Sequence, residues 1–264
     1  MITLSACSKS FHRGSVNEVK ALDGISLKVK DGDFITVIGS NGSGKSTLLN
    51  AIAGSFRLDS GTIEIGSSDV TRWPEYKRAK LIARVFQDPL LGTCPSATIE
   101  QNMALALKRG QRRGLRPGVK VKDRLVFHEE LKKIGLGLEK RLQDRVGLLS
   151  GGQRQSLTML MATLVRPDVL LLDEHIAALD PKTARQILLL TRDIISSQGL
   201  TALMVTHNMQ HAITYGNRLI MLHQGRVILD VGQEEKKKLT VPDLLQQFYL
   251  AQGEELANDS MLLT

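Results

Sequence analysis

Aromatic side chains are scarce in this sequence: six Phe, three Tyr and one Trp make up 4% of it. So few ring faces argue against stacking on single-stranded nucleic acid or RNA as the main activity. Cysteine is scarcer still. Cys7 and Cys94 lie far apart and form no C-x-x-C pair, so they suggest neither a disulfide framework nor a zinc site and fit a reducing compartment. No apolar run approaches the ~18 residues that would span a bilayer. The longest, such as 169–172, are strand-sized. Residues 1–14 hold no apolar stretch bounded by a cleavage site, so no secretory leader is expected. These absences predict a cytoplasmic chain, for which any membrane role needs a partner that spans. What is present is ordinary for a globular protein: 264 residues, 42% hydrophobic and 23% charged, with 35 Lys+Arg against 27 Asp+Glu for a net charge of +8. Such a composition excludes a disordered or collagen-like chain and allows one or two domains with a sizeable core.

Short β-branched runs alternate with helical stretches along most of the chain, which predicts an α/β fold. Residues 25–29 and 34–38 read as strands around the Asp31-Gly32 turn, and 45–53 as a helix stopped by Gly54. Further strands are expected at 62–65, 82–86, 202–206, 219–222 and 227–231. Residues 169–172 are wholly apolar between Arg166-Pro167-Asp168 and Asp173-Glu174, the mark of a strand buried on both faces. Asp180-Pro181 supplies an N-cap and a proline at the first helical position. From about 89 to 155 the pattern is mostly helical: Thr98 with Gln101 fits a capping box for a helix to about 108, and a second helix is expected over 123–134. This stretch reads as a helical insertion in the α/β core. A last short helix starts near Pro242, with Thr240 as its cap. Between 108 and 124, Lys108, Arg109, Arg112, Arg113, Arg116, Lys120, Lys122 and Arg124 face one acid, Asp123. A solvated basic loop, a surface facing anionic lipid heads and a nucleic-acid patch all fit that run.

The chemistry is concentrated in a few motifs. Gly39-Ser40-Asn41-Gly42-Ser43-Gly44-Lys45-Ser46-Thr47 matches G-x-x-x-x-G-K-S/T between an expected strand and an expected helix, the context that identifies a phosphate-binding loop. Its glycines let the backbone wrap a phosphate, successive N–H groups form an anion nest, and the helix start adds partial positive charge. Lys45 can then reach the β- and γ-phosphates, and the Ser46 hydroxyl can ligate Mg²⁺. Asp173 and Glu174 end the apolar strand, where doubly wound sheets bind ligands. Asp173 suits Mg²⁺ held through water, and Glu174 suits the attacking water. Leu149-Ser150-Gly151-Gly152-Gln153 is a second glycine-rich element, in which Ser150 and Gln153 form a capping box for a helix over 150–165. Cys7, Cys94 and Trp73 carry structural readings only.

Taken in chain order, the phosphate loop, Gln87, 149–153, Asp173-Glu174, Asp180 and His207 resemble the ATP-binding subunits of ABC transporters, over about residues 2–231. The resemblance implies a P-loop NTPase (RecA-like) core with a mixed sheet, a small antiparallel β subdomain and an inserted α-helical subdomain. It implies one ATPase domain over 1–264, with 1–87 and 156–232 as the nucleotide-binding core, 88–155 as the helical insertion and 233–264 as a C-terminal extension. Residue by residue, Phe11 resembles the aromatic that stacks on adenine, and Ser40, Asn41, Gly42, Ser43, Gly44, Lys45, Ser46 and Thr47 the phosphate loop. Gln87 resembles the glutamine that touches Mg²⁺ or water, and Ser150, Gly151, Gly152 and Gln153 the family's signature motif. Glu174 resembles the catalytic glutamate, 178–180 the D-loop, and His207 the histidine on the γ-phosphate. The chain departs from the common Pro-Thr-Ser after the glutamate: His175-Ile176-Ala177 stand there, and Ala177 lacks the hydroxyl.

The activity implied is hydrolysis of ATP to ADP and phosphate with Mg²⁺. One phosphate loop per chain implies a head-to-tail homodimer that sandwiches two ATP molecules. The implied use is powering an importer whose membrane-spanning permease subunits are separate chains, with an extracytoplasmic substrate-binding protein as an indirect partner and no nucleic acid. The subunit would sit peripherally on the cytoplasmic face of the membrane. A soluble ATPase such as an iron–sulfur assembly factor, or the ATPase of an exporter, are the alternatives. Residues 97–119 and 216–245 resemble an importer subgroup linked to aromatic amino acids, with another amino acid or small organic solute as the alternative cargo.

Overall fold

The computed structural model describes residues 1–111 and 118–262. Of the basic stretch 108–124, residues 112–117, with Arg112, Arg113 and Arg116, lie outside the described residues. The strands are β1 (Ile2–Phe11), β2 (Val19–Val29), β3 (Phe34–Gly39), β4 (Ser60–Ile65), β5 (Ser68–Asp69), β6 (Ile82–Val85), β7 (Val169–Asp173), β8 (Ala202–Val205), β9 (Arg218–His223) and β10 (Arg226–Val231). The helices are α1 (Lys45–Ala53), α2 (Glu75–Arg78), α3 (Ile99–Leu107), α4 (Val121–Ile134), α5 (Gly151–Thr163), α6 (Pro181–Gln198), α7 (Met209–Thr214), α8 (Gln233–Lys236) and α9 (Val241–Leu262). They form two compact units: Met1–Ile52, Phe56–Arg72 and Leu203–Thr264 in the first, Ala53–Ser55 and Trp73–Ala202 in the second.

The first unit contains an antiparallel sheet in the order β2-β1-β4-β5. Its first strand escapes simple alternation. Ala6 takes a φ of 48° and the register with β2 slips between Leu4 and Cys7, so Ile2, Leu4 and Cys7 are all buried across a bulge. A second sheet runs β10-β9-β3-β8. Here β3 pairs in parallel with β9 from Ile35↔Arg218 to Gly39↔Leu222, while β9 and β10 are antiparallel, so the sheet is mixed as expected. The apolar residues of β3 are buried on both faces. Ile38, Leu219, Met221 and Val231 pack with Ala212 of α7 and Leu244 of α9 into one core. Lys236 pins α8 to this core. Its ammonium donates to the carbonyl oxygens of Tyr215 and Gly216 and to Thr36 Oγ1.

The second unit contains the parallel pair β6–β7, in register from Ile82↔Val169 to Val85↔Leu172. β7 is the expected doubly buried strand. Its helices have a core of their own, where Ile99 and Met103 of α3, Phe127 and Leu131 of α4, and Leu157 and Leu160 of α5 meet. The capping signals act where the sequence placed them. Thr98 Oγ1 accepts from Gln101 N, Ser150 Oγ accepts from Gln153 N, and in each case the glutamine side chain accepts from the cap's N–H in return. Asp180 caps α6 through Thr183 N. That helix buries Ile187, Leu188, Thr191 and Ile195, one stripe at helical spacing.

Burial lowers the Lys236 pKa from 10.5 to about 8. The folded protein then releases this proton before the unfolded chain does, so wild-type stability gains as pH rises from about 8 toward 10.5. Lys236→Met removes that gain and strips the Tyr215 and Gly216 carbonyls of a donor. Urea unfolding should show the variant less stable by about 1–3 kcal/mol at pH 7, with the gap widening at pH 9–10. A gap that narrows with rising pH would contradict the burial cause.

Candidate functional site

The phosphate loop lies in the first unit, between β3 and α1. Its shape is set by residues without side chains. A Cβ on Gly39 would sit 2.3 Å from Ser43 Oγ and 2.4 Å from the Leu222 carbonyl oxygen, and one on Gly44 2.4 Å from the Ala21 carbonyl oxygen. The loop is therefore folded tightly against β9 and β2. Ser43 O also accepts from Gly225 N, in the β9–β10 turn, at 3.0 Å. Lys45 is only 6% exposed, and its ammonium donates to the carbonyl oxygens of Gly39 (2.9 Å) and Ser40 (2.8 Å). It is folded back along the loop that a triphosphate would occupy. Ser43 Oγ is buried without a hydrogen-bond partner among the described residues, as suits a cradle for a ligand rich in acceptor oxygens. Asn41, Gly42 and Ser46 are exposed, Ser40 and Thr47 half-buried.

His207 follows β8 in the same unit and is exposed. Burial first, and the neighbouring His207 second, lower the pKa of His211. Phe11 ends β1 at 36% exposure. Its ring meets Phe56 edge-on at 5.5 Å, with Lys9 Nζ 5.6 Å from both ring centres. Phe56 was not anticipated from the sequence.

Gln87, Asp173, Glu174 and the element 150–153 belong to the second unit. Gln87 is exposed, just past the end of β6. Asp173 is the last residue of β7, and its Oδ2 accepts from the Arg84 guanidinium at 2.7 Å. Glu174 takes a φ of 43°, which holds a non-glycine backbone in the left-handed region at a cost of about 1–3 kcal/mol. Its carbonyl oxygen accepts from Ala177 N in a tight turn. The residue after it, His175, is buried, and its Nε2 lies 3.2 Å from Thr191 Oγ1 on α6. The hydroxyl of Ser46 and the carboxylate of Asp173 are hard oxygen donors of the kind Mg²⁺ selects, so the residue types fit that ion.

Ser150 and Gly151 are exposed at the N-terminus of α5, where backbone N–H groups favour an anion. Gly152 has a second reason to be glycine. A Cβ there would lie 2.4 Å from Thr183 Cγ2, so a side chain at 152 would force the Thr183 methyl to move. The Thr183 hydroxyl, with its amide, also holds the Asp180 carboxyl below its usual range.

Also within the second unit is a groove of about 870 Å³. Leu91, Leu105 and Tyr76 line it and are exposed, and its charged lining is basic: Lys80, Arg84, Lys108 and Arg109 against Glu75. Arg84 and Thr183 escaped sequence reading. For Arg84 a signal existed, a cation inside an otherwise apolar strand.

Residues 22–177 match the family model described as ABC transporter. Over 251 residues the chain is 47% identical to the tyrosine transport ATP-binding protein of Clostridioides difficile, covering 95% of this chain and 100% of that one. It is 38% identical over 211 residues to the methionine import ATP-binding protein MetN of Rhizobium etli, covering 79% of this chain and 56% of that protein. Among solved structures, a dimeric ATP-binding cassette in a post-hydrolysis state, bound to ADP and Pi, matches with a TM-score of 0.75 at 29% identity, covering 88% of this chain and 99% of that one.

Gly152→Ala should cost about 1–3 kcal/mol of stability through overpacking against Thr183. In a Thr183→Ala background most of that cost should vanish in urea unfolding. An equal cost in both backgrounds would remove the contact as the reason for the glycine.

Proposed function

The chain belongs to the ABC transporter family as one of its ATP-binding subunits, and from that membership we propose that two copies close head-to-tail over two ATP molecules, each completing the other's site. The subunit hydrolyses ATP to ADP and phosphate and powers import. The phosphate loop carries this proposal: a buried Lys45 laid along a glycine-shaped nest. Lys45 and the loop amides would hold the β- and γ-phosphates, and Phe11 would meet the adenine. Ser46, Gln87 and Asp173 would hold Mg²⁺, which when bound offsets charge on the phosphate oxygens. Glu174 would orient and polarise the attacking water, His207 would contact the γ-phosphate, and the α5 start at 150–153 would close on nucleotide held by the other copy. Positioning and charge compensation do nearly all the work in such a transfer.

Among the described residues no helix is long and apolar enough to cross a membrane. Separate permease chains would therefore carry the solute, with the subunit bound peripherally at the cytoplasmic face. The basic groove of the second unit, within the proposed insertion 88–155 and its flanks, would receive a permease segment that brings apolar contacts and an acidic side chain. Complementarity to its four cations against one acid supports that occupant. The full-length likeness to a tyrosine transport ATP-binding protein supports an aromatic amino acid as cargo.

Glu174→Gln should hydrolyse ATP at least about 100-fold more slowly and elute as a dimer in ATP and Mg²⁺. Near-normal turnover, or a monomer under those conditions, would overturn the assignment. Leu91→Asp should abolish copurification with the permease while leaving the ATPase rate of the isolated subunit unchanged, and retained copurification would remove the groove from the interface.

A further inference from the structure

Arg84 is out of place by composition. It stands in β6 between Ala83 and Val85, opposite Leu171 of β7, among side chains that are otherwise apolar. Its guanidinium nevertheless meets both a carboxylate and an aromatic ring. One edge donates to Asp173 Oδ2 at 2.7 Å, and the guanidinium carbon lies 4.6 Å from the centre of the Phe86 ring. The two charged side chains are 13% and 14% exposed, so neither is compensated chiefly by water. Arg84 and Phe86 also line the basic groove. The same side chain thus borders the groove and holds the carboxylate at the end of β7, one strand residue away from the segment that leads to Gln87.

We propose that Arg84 is the resident counter-cation of Asp173, a positioning residue that holds this carboxylate before nucleotide arrives and whose charge sets how much Mg²⁺ the subunit requires. The inference rests on the assignment of Asp173 to Mg²⁺. A half-buried carboxylate without a counter-charge is costly, and Arg84 supplies that charge when no metal is near. A divalent cation approaching the same carboxylate is repelled by the guanidinium, so the two cations oppose each other's binding by a reciprocal coupling. An acidic side chain entering the groove would draw charge from Arg84 and ease the metal's approach. Groove occupancy would then tighten the metal site without contacting it.

The test uses the full chain in a Glu174→Gln background, with thermal unfolding followed against Mg²⁺ at saturating ATP. Arg84→Gln should unfold at a lower temperature without Mg²⁺, and its Mg²⁺ midpoint should fall three- to tenfold. Arg84→Lys, which keeps the charge, should leave the midpoint within twofold, and Asp173→Asn should raise it at least tenfold. A merely structural role for Arg84 would lower the melting temperature and leave the midpoint unmoved, which overturns the proposal. So does a raised midpoint in Arg84→Gln. If Asp173→Asn shifts the midpoint while Arg84→Gln does not, the coupling alone fails. If Asp173→Asn leaves it unchanged, the assignment of Asp173 to the metal fails, and the proposal with it.

Discussion

A cation folded onto backbone carbonyls is the interaction on which the chemistry proposed for the first unit depends. Lys45 is buried, and the carbonyl oxygens of Gly39 and Ser40 receive its ammonium. A buried ammonium is tolerable only where acceptors meet it, and these acceptors exist because the loop doubles back on itself. That return is possible because Gly39 and Gly44 leave room for the Leu222 and Ala21 carbonyls. The β2 backbone and the β9–β10 turn therefore shape the proposed nucleotide cradle together with the loop. In the proposed site, an arriving triphosphate would offer the ammonium charged acceptors in place of the carbonyls.

The second unit solves a different electrostatic problem. In the proposed function it would present carboxylates and a helix N-terminus to a bound nucleotide, and their positions are fixed locally. Asp173 is held by Arg84, and Glu174 by a strained turn whose next residue, His175, is packed against Thr191. The α5 start is held by a reciprocal cap and by the close approach of Gly152 to Thr183. His175 fills the place where many family members have proline. The buried imidazole–hydroxyl contact with α6 fixes this turn by packing, where a proline would fix it through its ring.

Much of this was legible in the sequence because the signals are local. Glycine spacing, a lysine and two hydroxyls between a strand and a helix specify the phosphate loop, and α1 begins and ends where those residues place it. Thr98, Ser150 and Asp180 each announce a helix through partners three residues away. The apolar run of β7 needs no context to be read as buried. What stayed hidden depends on distance along the chain. Arg84 meets Asp173 across 89 residues, and Lys236 meets Thr36 across 200. β1 was hidden for a local reason, since the bulge at Ala6 breaks the two-residue alternation by which strands are recognised. The four-residue helix α2 is too short to display a helical period.

The central claim is that the loop around Lys45 is where the triphosphate binds. Equilibrium binding of a fluorescent ATP analogue to the wild-type chain and to Lys45→Ala, each with Mg²⁺, tests it most directly. Loss of the ammonium should weaken binding at least about tenfold, the equivalent of roughly 1.4 kcal/mol, with the fold intact by circular dichroism. Unchanged affinity in a folded Lys45→Ala protein would contradict the account.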